Sequence, residues 1–168
     1  MIKVLVSACL LGEKVRFHGE DATCVSAVLD RWRAEGRIVP ACPEVMAGLT
    51  VPRLPAEITG GDGHAVLLKD AYVSDSTGAD VTVALLDGAR MALETARRNG
   101  VQLAVLKDGS PSCGSGFIYD GTFRGQRSSG QGVTAAMLSL AGIRVFSERQ
   151  LDEAAAYVEA LENERSVG

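Results

Sequence analysis

Short apolar runs alternate with stretches of helical periodicity, and three of the runs lead into a cysteine. This alternation limits the chain to few folds. Leu103-Ala-Val-Leu106 is one run, followed by Lys107-Asp-Gly-Ser-Pro-Ser-Cys-Gly-Ser-Gly116. Residues 3–11 form another, with Ser7-Ala-Cys9 at its end, and Arg37-Ile-Val-Pro-Ala-Cys42 a third. A fourth, Ile143-Arg-Val-Phe146, carries no cysteine. Brief β-branched and aliphatic runs of this kind read as strands buried on both faces. Pro40 shortens the regular part of its strand, because proline has no N–H to give a ladder.

The intervening stretches read as helices. Val25, Val28, Leu29 and Trp32 lie on one face, with Asp21 or Thr23 as the expected cap and Gly36 as the stop. Asp80 precedes a long element over residues 81–99 with a stripe of small residues, ended by Gly100. Val133, Ala136, Met137 and Leu140 mark another, ended by Gly142. Ser147 and Gln150 have the spacing of a capping box for a last helix bearing Leu151, Ala154, Ala155, Val158 and Leu161. Strands alternating with helices predict an α/β fold, a Rossmann-like three-layer sandwich with a mainly parallel sheet. The length predicts a single domain over residues 1–168.

Two stretches fall outside this pattern. Residues 45–57 read as irregular because Pro52 and Pro55 bar a continuous helix; residues 65–68 and 71–73 read as a small hairpin. Residues 107–132 hold seven glycines and five serines, the composition of a loop. Phe117, Ile118, Tyr119 and Phe123 are too apolar for a solvated linker, and Asp120-Gly121 signals a tight hairpin between them. A glycine-rich loop carrying Cys113, followed by a small β-hairpin flap, is the expectation.

A net charge of −4 argues against a bulk nucleic-acid binder, which needs a basic surface, but leaves a nucleobase or nucleoside as ligand. No window is long and apolar enough for a membrane span, and the N-terminus reads as a strand, not as a signal peptide. A cytoplasmic protein is expected. Four dispersed cysteines without a Cys-x-x-Cys suit neither a disulfide scaffold, nor a zinc knuckle, nor a redox dithiol.

Open parallel sheets bind ligands at the carboxyl ends of their strands. Cys9, Cys42 and Cys113 all fall at such ends, so the fold gathers thiols that are remote in sequence. Each alone reads as a core residue. Three converging thiolates repel one another unless a metal or cluster holds them. Soft sulfur ligands select zinc, cuprous copper or an iron–sulfur cluster, and three of them leave one position open. Cys24 is either a fourth ligand or a half-buried residue of the first helix. Glu44 is a candidate general acid or base, or else a surface carboxylate. Ser110 and Ser112, on either side of Pro111, hold a substrate or shape the turn. Asp80, Lys107 and Asp108 read as a cap and two solvated charges, His18 and His64 as solvated turn residues. Arg53, Arg124 and Arg127 are candidates for a polar substrate group if the flap folds over the site.

Several motifs occur together and in order: Ser7-Ala-Cys-Leu-Leu-Gly12, Cys42-Pro-Glu44, Pro52-Arg-x-Pro-Ala-Glu57, Gly78-Ala-Asp-Val-Thr82, Leu106-Lys-x-x-Ser-Pro-Ser-Cys-Gly114 and Ile118-Tyr-Asp-Gly-Thr-Phe123. With them the chain resembles the thiouracil desulfidase family. The resemblance implies a [4Fe-4S] cluster on the positions matching Cys9, Cys42 and Cys113, with one iron free to take the sulfur of a thiolated pyrimidine. It implies non-redox removal of that sulfur, with Glu44 moving protons and Ser110 or Ser112 near the substrate, Ser110 being favoured. Two positions depart from the pattern: Arg16-Phe-His-Gly19 stands where Arg-Tyr-Asp-Gly is expected, and Ala47 where glycine is expected. The competing expectations are a non-catalytic iron–sulfur or sulfide-carrier protein, and a zinc- or thiol-dependent hydrolase with Cys113 as nucleophile.

Overall fold

The computed structural model describes residues 1–168. In chain order its elements begin with β1 (Val4–Ser7), α1 (Ala27–Ala34), β2 (Ile38–Ala41) and α2 (Pro43–Met46). They continue with β3 (Ala56–Thr59), α3 (Gly63–Leu67), β4 (Tyr72–Asp75), α4 (Thr82–Arg98) and β5 (Leu103–Leu106). The last third holds β6 (Phe117–Tyr119), β7 (Arg127–Ser129), α5 (Val133–Leu140), β8 (Arg144–Ser147) and α6 (Leu151–Val167).

Four strands form a parallel sheet in the order β2-β1-β5-β8. Every residue of β1 and β5 is buried, which accounts for their unbroken apolar sequence. One sheet face packs Val4, Val6, Leu103 and Val105 against Leu29 and Trp32 of α1 and Ala154 and Val158 of α6. The other packs Leu5, Ala104 and Leu106 against Ala96 of α4 and Ala135 and Leu138 of α5. The three expected layers are therefore present. The chain runs outward from β1 to β2, then returns across β1 to β5, so the strand order reverses between β1 and β5. Crevices at such reversals are where open α/β sheets bind ligands.

A smaller apolar cluster joins Ile58 and Val73, from the antiparallel pair β3–β4, to Val66 of α3, Leu85 and Ala89 of α4, and Ile118 of β6. The stripe of small residues on α4 allows close approach. A Cβ on Gly88 would overlap the Pro43 carbonyl oxygen, so α4 lies directly against the first turn of α2.

Several local expectations are corrected. The first run does not stay extended: β1 ends at Ser7, and Ala8–Leu11 coils into a 3-10 turn closed by Gly12 at φ 97°. Ser26, not Asp21 or Thr23, caps α1, its Oγ accepting from Val28 N at 3.1 Å. The Asp21 carboxylate is occupied by Thr23, and residues 22–24 are tied back to the 3-10 turn through Ala22 N to Cys9 O and Cys24 N to Leu10 O. The hairpin expected over residues 65–73 is instead a helix, α3, capped by Asp62, followed by a strand that pairs with β3. The flap exists, but Asp120-Gly121 is not a two-residue turn. β6 and β7 are joined by residues 120–126, closed by Asp120 N to Gln126 O. At α6 only one half of the capping box forms: Gln150 Oε1 accepts from Ser147 N, while Ser147 Oγ accepts from Arg149 N.

Candidate active site

Three strand ends deliver Cys9, Cys42 and Cys113 to one cleft of about 600 Å³. Cys9 enters from the 3-10 turn after β1, and Cys42 from the junction of β2 and α2. Cys113 lies in the glycine-rich loop after β5. There the Ser110 hydroxyl accepts from the N–H groups of Ser112 (3.0 Å) and Cys113 (3.1 Å) and fixes the turn. Cys9 and Cys113 are each only 7 % exposed. Cys24 does not join them: it packs at the edge of the α1/α6 core and does not line the cleft.

Burial raises the pKa of all three thiols, because the thiolate loses solvent. Cys9 is pushed up to about 11 by burial and then by the charge of Cys42. Cys42 is raised by burial, with the N–H of Val45 working against the shift. Cys113, the most deeply buried, is raised further by burial, and Cys9, Cys42 and Glu44 add to it. Three thiols that feel one another's charge in a poorly solvated cleft need a cationic group before they ionise together. No three His, Cys, Asp or Glu side chains stand close enough to hold a single metal ion, which requires sulfurs at about 2.3 Å from one centre. Three cysteine thiols are a soft donor set of the kind that iron–sulfur clusters take.

Glu44 stands on the cleft wall, in the first turn of α2. Arg53 Nε donates to its Oε2 at 2.9 Å, and Ser110 Oγ donates to its Oε1 at 3.4 Å. Ser112 is not in the cleft. It is fully buried behind the loop, its hydroxyl 2.8 Å from Thr134 Oγ1. Asp108 is no solvated charge either. At 7 % exposure its Oδ1 accepts from the N–H groups of Ser115, Gly116 and Phe117, each at 3.1 Å, and holds the loop in shape. Lys107 pairs with Glu148 at 3.2 Å, and the other oxygen of Glu148 accepts from Asp108 N. Asp80 accepts from Thr82 N, but the N-cap of α4 is Val81, one residue later than expected.

The flap roofs the cleft. Phe117 and Tyr119 meet edge-on with centroids 6.1 Å apart. Phe123 joins them from the turn, held at φ 58°. Glu57 Oε1 accepts from Gly121 N (3.0 Å) and Phe123 N (3.2 Å), clasping the tip of the flap to β3. The guanidinium of Arg127 lies 4.2 Å from the Phe117 ring, with Arg149 on the same ring at 5.4 Å. Arg53 and Arg127 line the cleft and Arg124 does not. His18 lines it beside Phe17, whereas His64 is bonded to Gln131 elsewhere. Ala47 lies behind the wall, against Gly88. Sequence reasoning missed the roles of Asp108, Glu57 and Glu148. Only for Asp108 was there a signal: an acid just before a glycine-rich loop has free N–H groups to gather.

Fold and site together define an α/β protein with a three-thiol cleft at the switch point of a parallel sheet. The model of the 2-thiouracil desulfurase family matches residues 4–150, and the chain belongs to that family. It is 45 % identical over 150 residues to a Bacillus subtilis (strain 168) protein known as uncharacterized protein YbbK, a match that covers 89 % of this chain and 98 % of that one. Among solved structures it is similar to one described as the [4Fe-4S]-dependent thiouracil desulfidase TudS. The TM-score is 0.87 and the identity 45 %, over 95 % of this chain and 99 % of that one.

Proposed function

We propose that the protein is a desulfidase that replaces the sulfur of a thiolated pyrimidine, such as thiouracil, by oxygen from water, using a [4Fe-4S] cluster held by Cys9, Cys42 and Cys113. The observation that carries this reading is the meeting of three thiols from three strand ends in one cleft whose wall bears Glu44 and Ser110. When bound, the cluster supplies a soft Lewis acid matched to a thiocarbonyl sulfur. The net change is thiocarbonyl plus water to carbonyl plus hydrogen sulfide, with no electron gained or lost overall.

The chain's own residues supply the rest. Glu44, fixed by Arg53, accepts the proton of the incoming water. Ser110 is held by two N–H donors and turned toward Glu44, so its oxygen has one orientation beside the substrate. Phe117, Tyr119 and Phe123 offer flat apolar surfaces to a pyrimidine ring and exclude bulk water. A fixed carboxylate–guanidinium pair on the wall favours catalysis over storage of sulfide. All four cysteines are free thiols, which suits the cytoplasm as the site of action.

The test is anaerobic. Wild-type protein is expected to be brown, with about four irons and four sulfides per chain, and to release sulfide from 2-thiouracil or 4-thiouracil. Glu44→Gln is expected to keep the iron and lose sulfide release by about 10²-fold or more. Colourless anaerobic protein with stoichiometric zinc contradicts the reading; full cluster without turnover on any thiolated base points to a carrier.

A further inference from the structure

Glu57 closes the Pro55-Ala-Glu57 stretch, and the reaction described above makes no use of it. It lies in β3, where Ile58 turns into the apolar core and Glu57 lines the cleft. Its two carboxylate oxygens differ. Oε1 accepts from Gly121 N and Phe123 N at the flap tip. Oε2 has no partner in the protein, and no cationic side chain is paired with the group. Ser115 Oγ is the one buried side-chain polar atom without a partner, so Glu57 Oε2 is not shut away; it is open, on a side chain that faces the cleft. Glu44, by contrast, has both oxygens engaged, by Arg53 and Ser110. A clasp explains only half of Glu57, since the amide oxygen of a glutamine would hold the same two N–H groups. What the carboxylate adds is a second acceptor that carries charge.

We propose that Glu57 selects the base, its free Oε2 accepting the ring N3–H of a thiolated pyrimidine while Oε1 holds the flap tip over the cleft. The inference rests on the desulfidase reading above and narrows its substrates to pyrimidines with a hydrogen on N3. N3 stands between the two carbons that carry sulfur in 2-thiouracil and 4-thiouracil, so one acceptor suits both. A hydrogen bond from N–H to a carboxylate is charge-assisted and stronger than a neutral one. A ring with a methyl group or a lone pair on N3 has nothing to donate there. A site built to bond a substrate N–H rejects analogues that lack it, because its own polar group is left unpaired.

The experiment measures binding by calorimetry, using the sulfur-free bases uracil, 3-methyluracil and cytosine on anaerobic, cluster-loaded protein. Wild type is expected to bind uracil at least about 10-fold more tightly than 3-methyluracil. Glu57→Gln keeps the clasp through its amide oxygen and turns an NH2 group toward the ring. It should melt with wild type, lose at least about 10-fold in uracil affinity and shift its preference toward cytosine, whose N3 accepts. Wild type that binds uracil no better than 3-methyluracil overturns the inference, and this comparison decides the matter if the variant does not fold. A variant that keeps the wild-type preference, or melts lower and loses both bases alike, leaves Glu57 a clasp only and also overturns it. Cluster-loaded wild type that releases no sulfide from any thiolated pyrimidine overturns the reading beneath it instead.

Discussion

Arg53 and Glu44 form an ion pair at 2.9 Å, with side chains only 10 % and 15 % exposed, Glu44 from α2 and Arg53 from the irregular stretch between α2 and β3. That stretch looks unstructured in sequence, yet it carries the residue that orients the proposed base. Its backbone is tied down as well, since Arg53 N donates to Phe17 O at 2.6 Å. The pair therefore couples three segments around the cleft: the loop holding Phe17, the α2 turn holding Glu44, and the Pro52–Pro55 segment.

Arg53→Met is expected to leave iron content intact and to lower sulfide release at least 10-fold, because the carboxylate loses its fixed direction. Losing a hydrogen bond to a shielded charge costs about 1.5–3 kcal/mol, so a lower melting temperature should accompany the loss. Steady-state rates and thermal unfolding of the same preparation check both; an unchanged rate would show that Glu44 needs no orienting partner.

Asp108→Ala should be among the most damaging changes outside the thiols. It strands three N–H groups bonded at 3.1 Å in a largely buried loop, and each unpaired buried donor costs about 1–3 kcal/mol. A loss of about 3 kcal/mol or more is expected, about 6–12 °C in melting temperature for a chain of this size. Because the loop also presents Cys113, iron content should fall in parallel. A variant that melts like wild type contradicts the assigned role.

Gly88→Ala tests the contact between α4 and α2. Alanine is the better helix former, so in isolation the change is stabilising. Here its methyl group would overlap the Pro43 carbonyl, a backbone atom that cannot swing aside. Overpacking of this kind costs about 1–3 kcal/mol, and relief requires α2 to move, taking Cys42 and Glu44 with it. The expected result is lower stability together with lower iron loading; a more stable, fully loaded variant refutes the close approach.

The sheet and its four main helices were legible because each is a run of one periodicity with clear stops, as in Leu103–Leu106 and the Gly100 and Gly142 terminators. What was not legible was set by contacts between distant segments. Asp21 and Thr23 look like caps, but they bond each other while residues 22–24 fold back on the 3-10 turn, leaving Ser26 to start α1. β3 was hidden because Pro52 and Pro55 make its surroundings read as irregular, and it is a strand because it pairs with β4, of which only residues 71–73 read as extended. In the cleft the cysteines were legible from their strand ends. Ser112 was not separable from Ser110 by sequence, since only the direction of the turn sends one hydroxyl toward Glu44 and the other toward Thr134. Asp108 read as solvated, although its place before the glycines was a signal, because only the folded loop brings the N–H groups of Ser115, Gly116 and Phe117 to it.

The account depends on which thiols hold the cluster. Cys9→Ser, Cys42→Ser, Cys113→Ser and Cys24→Ser, each purified and reconstituted without oxygen, should be assayed for iron and acid-labile sulfide per chain. The first three are each expected to lose the [4Fe-4S] content and Cys24→Ser to match wild type, since Cys24 alone lies outside the cleft. A Cys24 variant that loads no iron, or a full cluster in any of the other three, contradicts it.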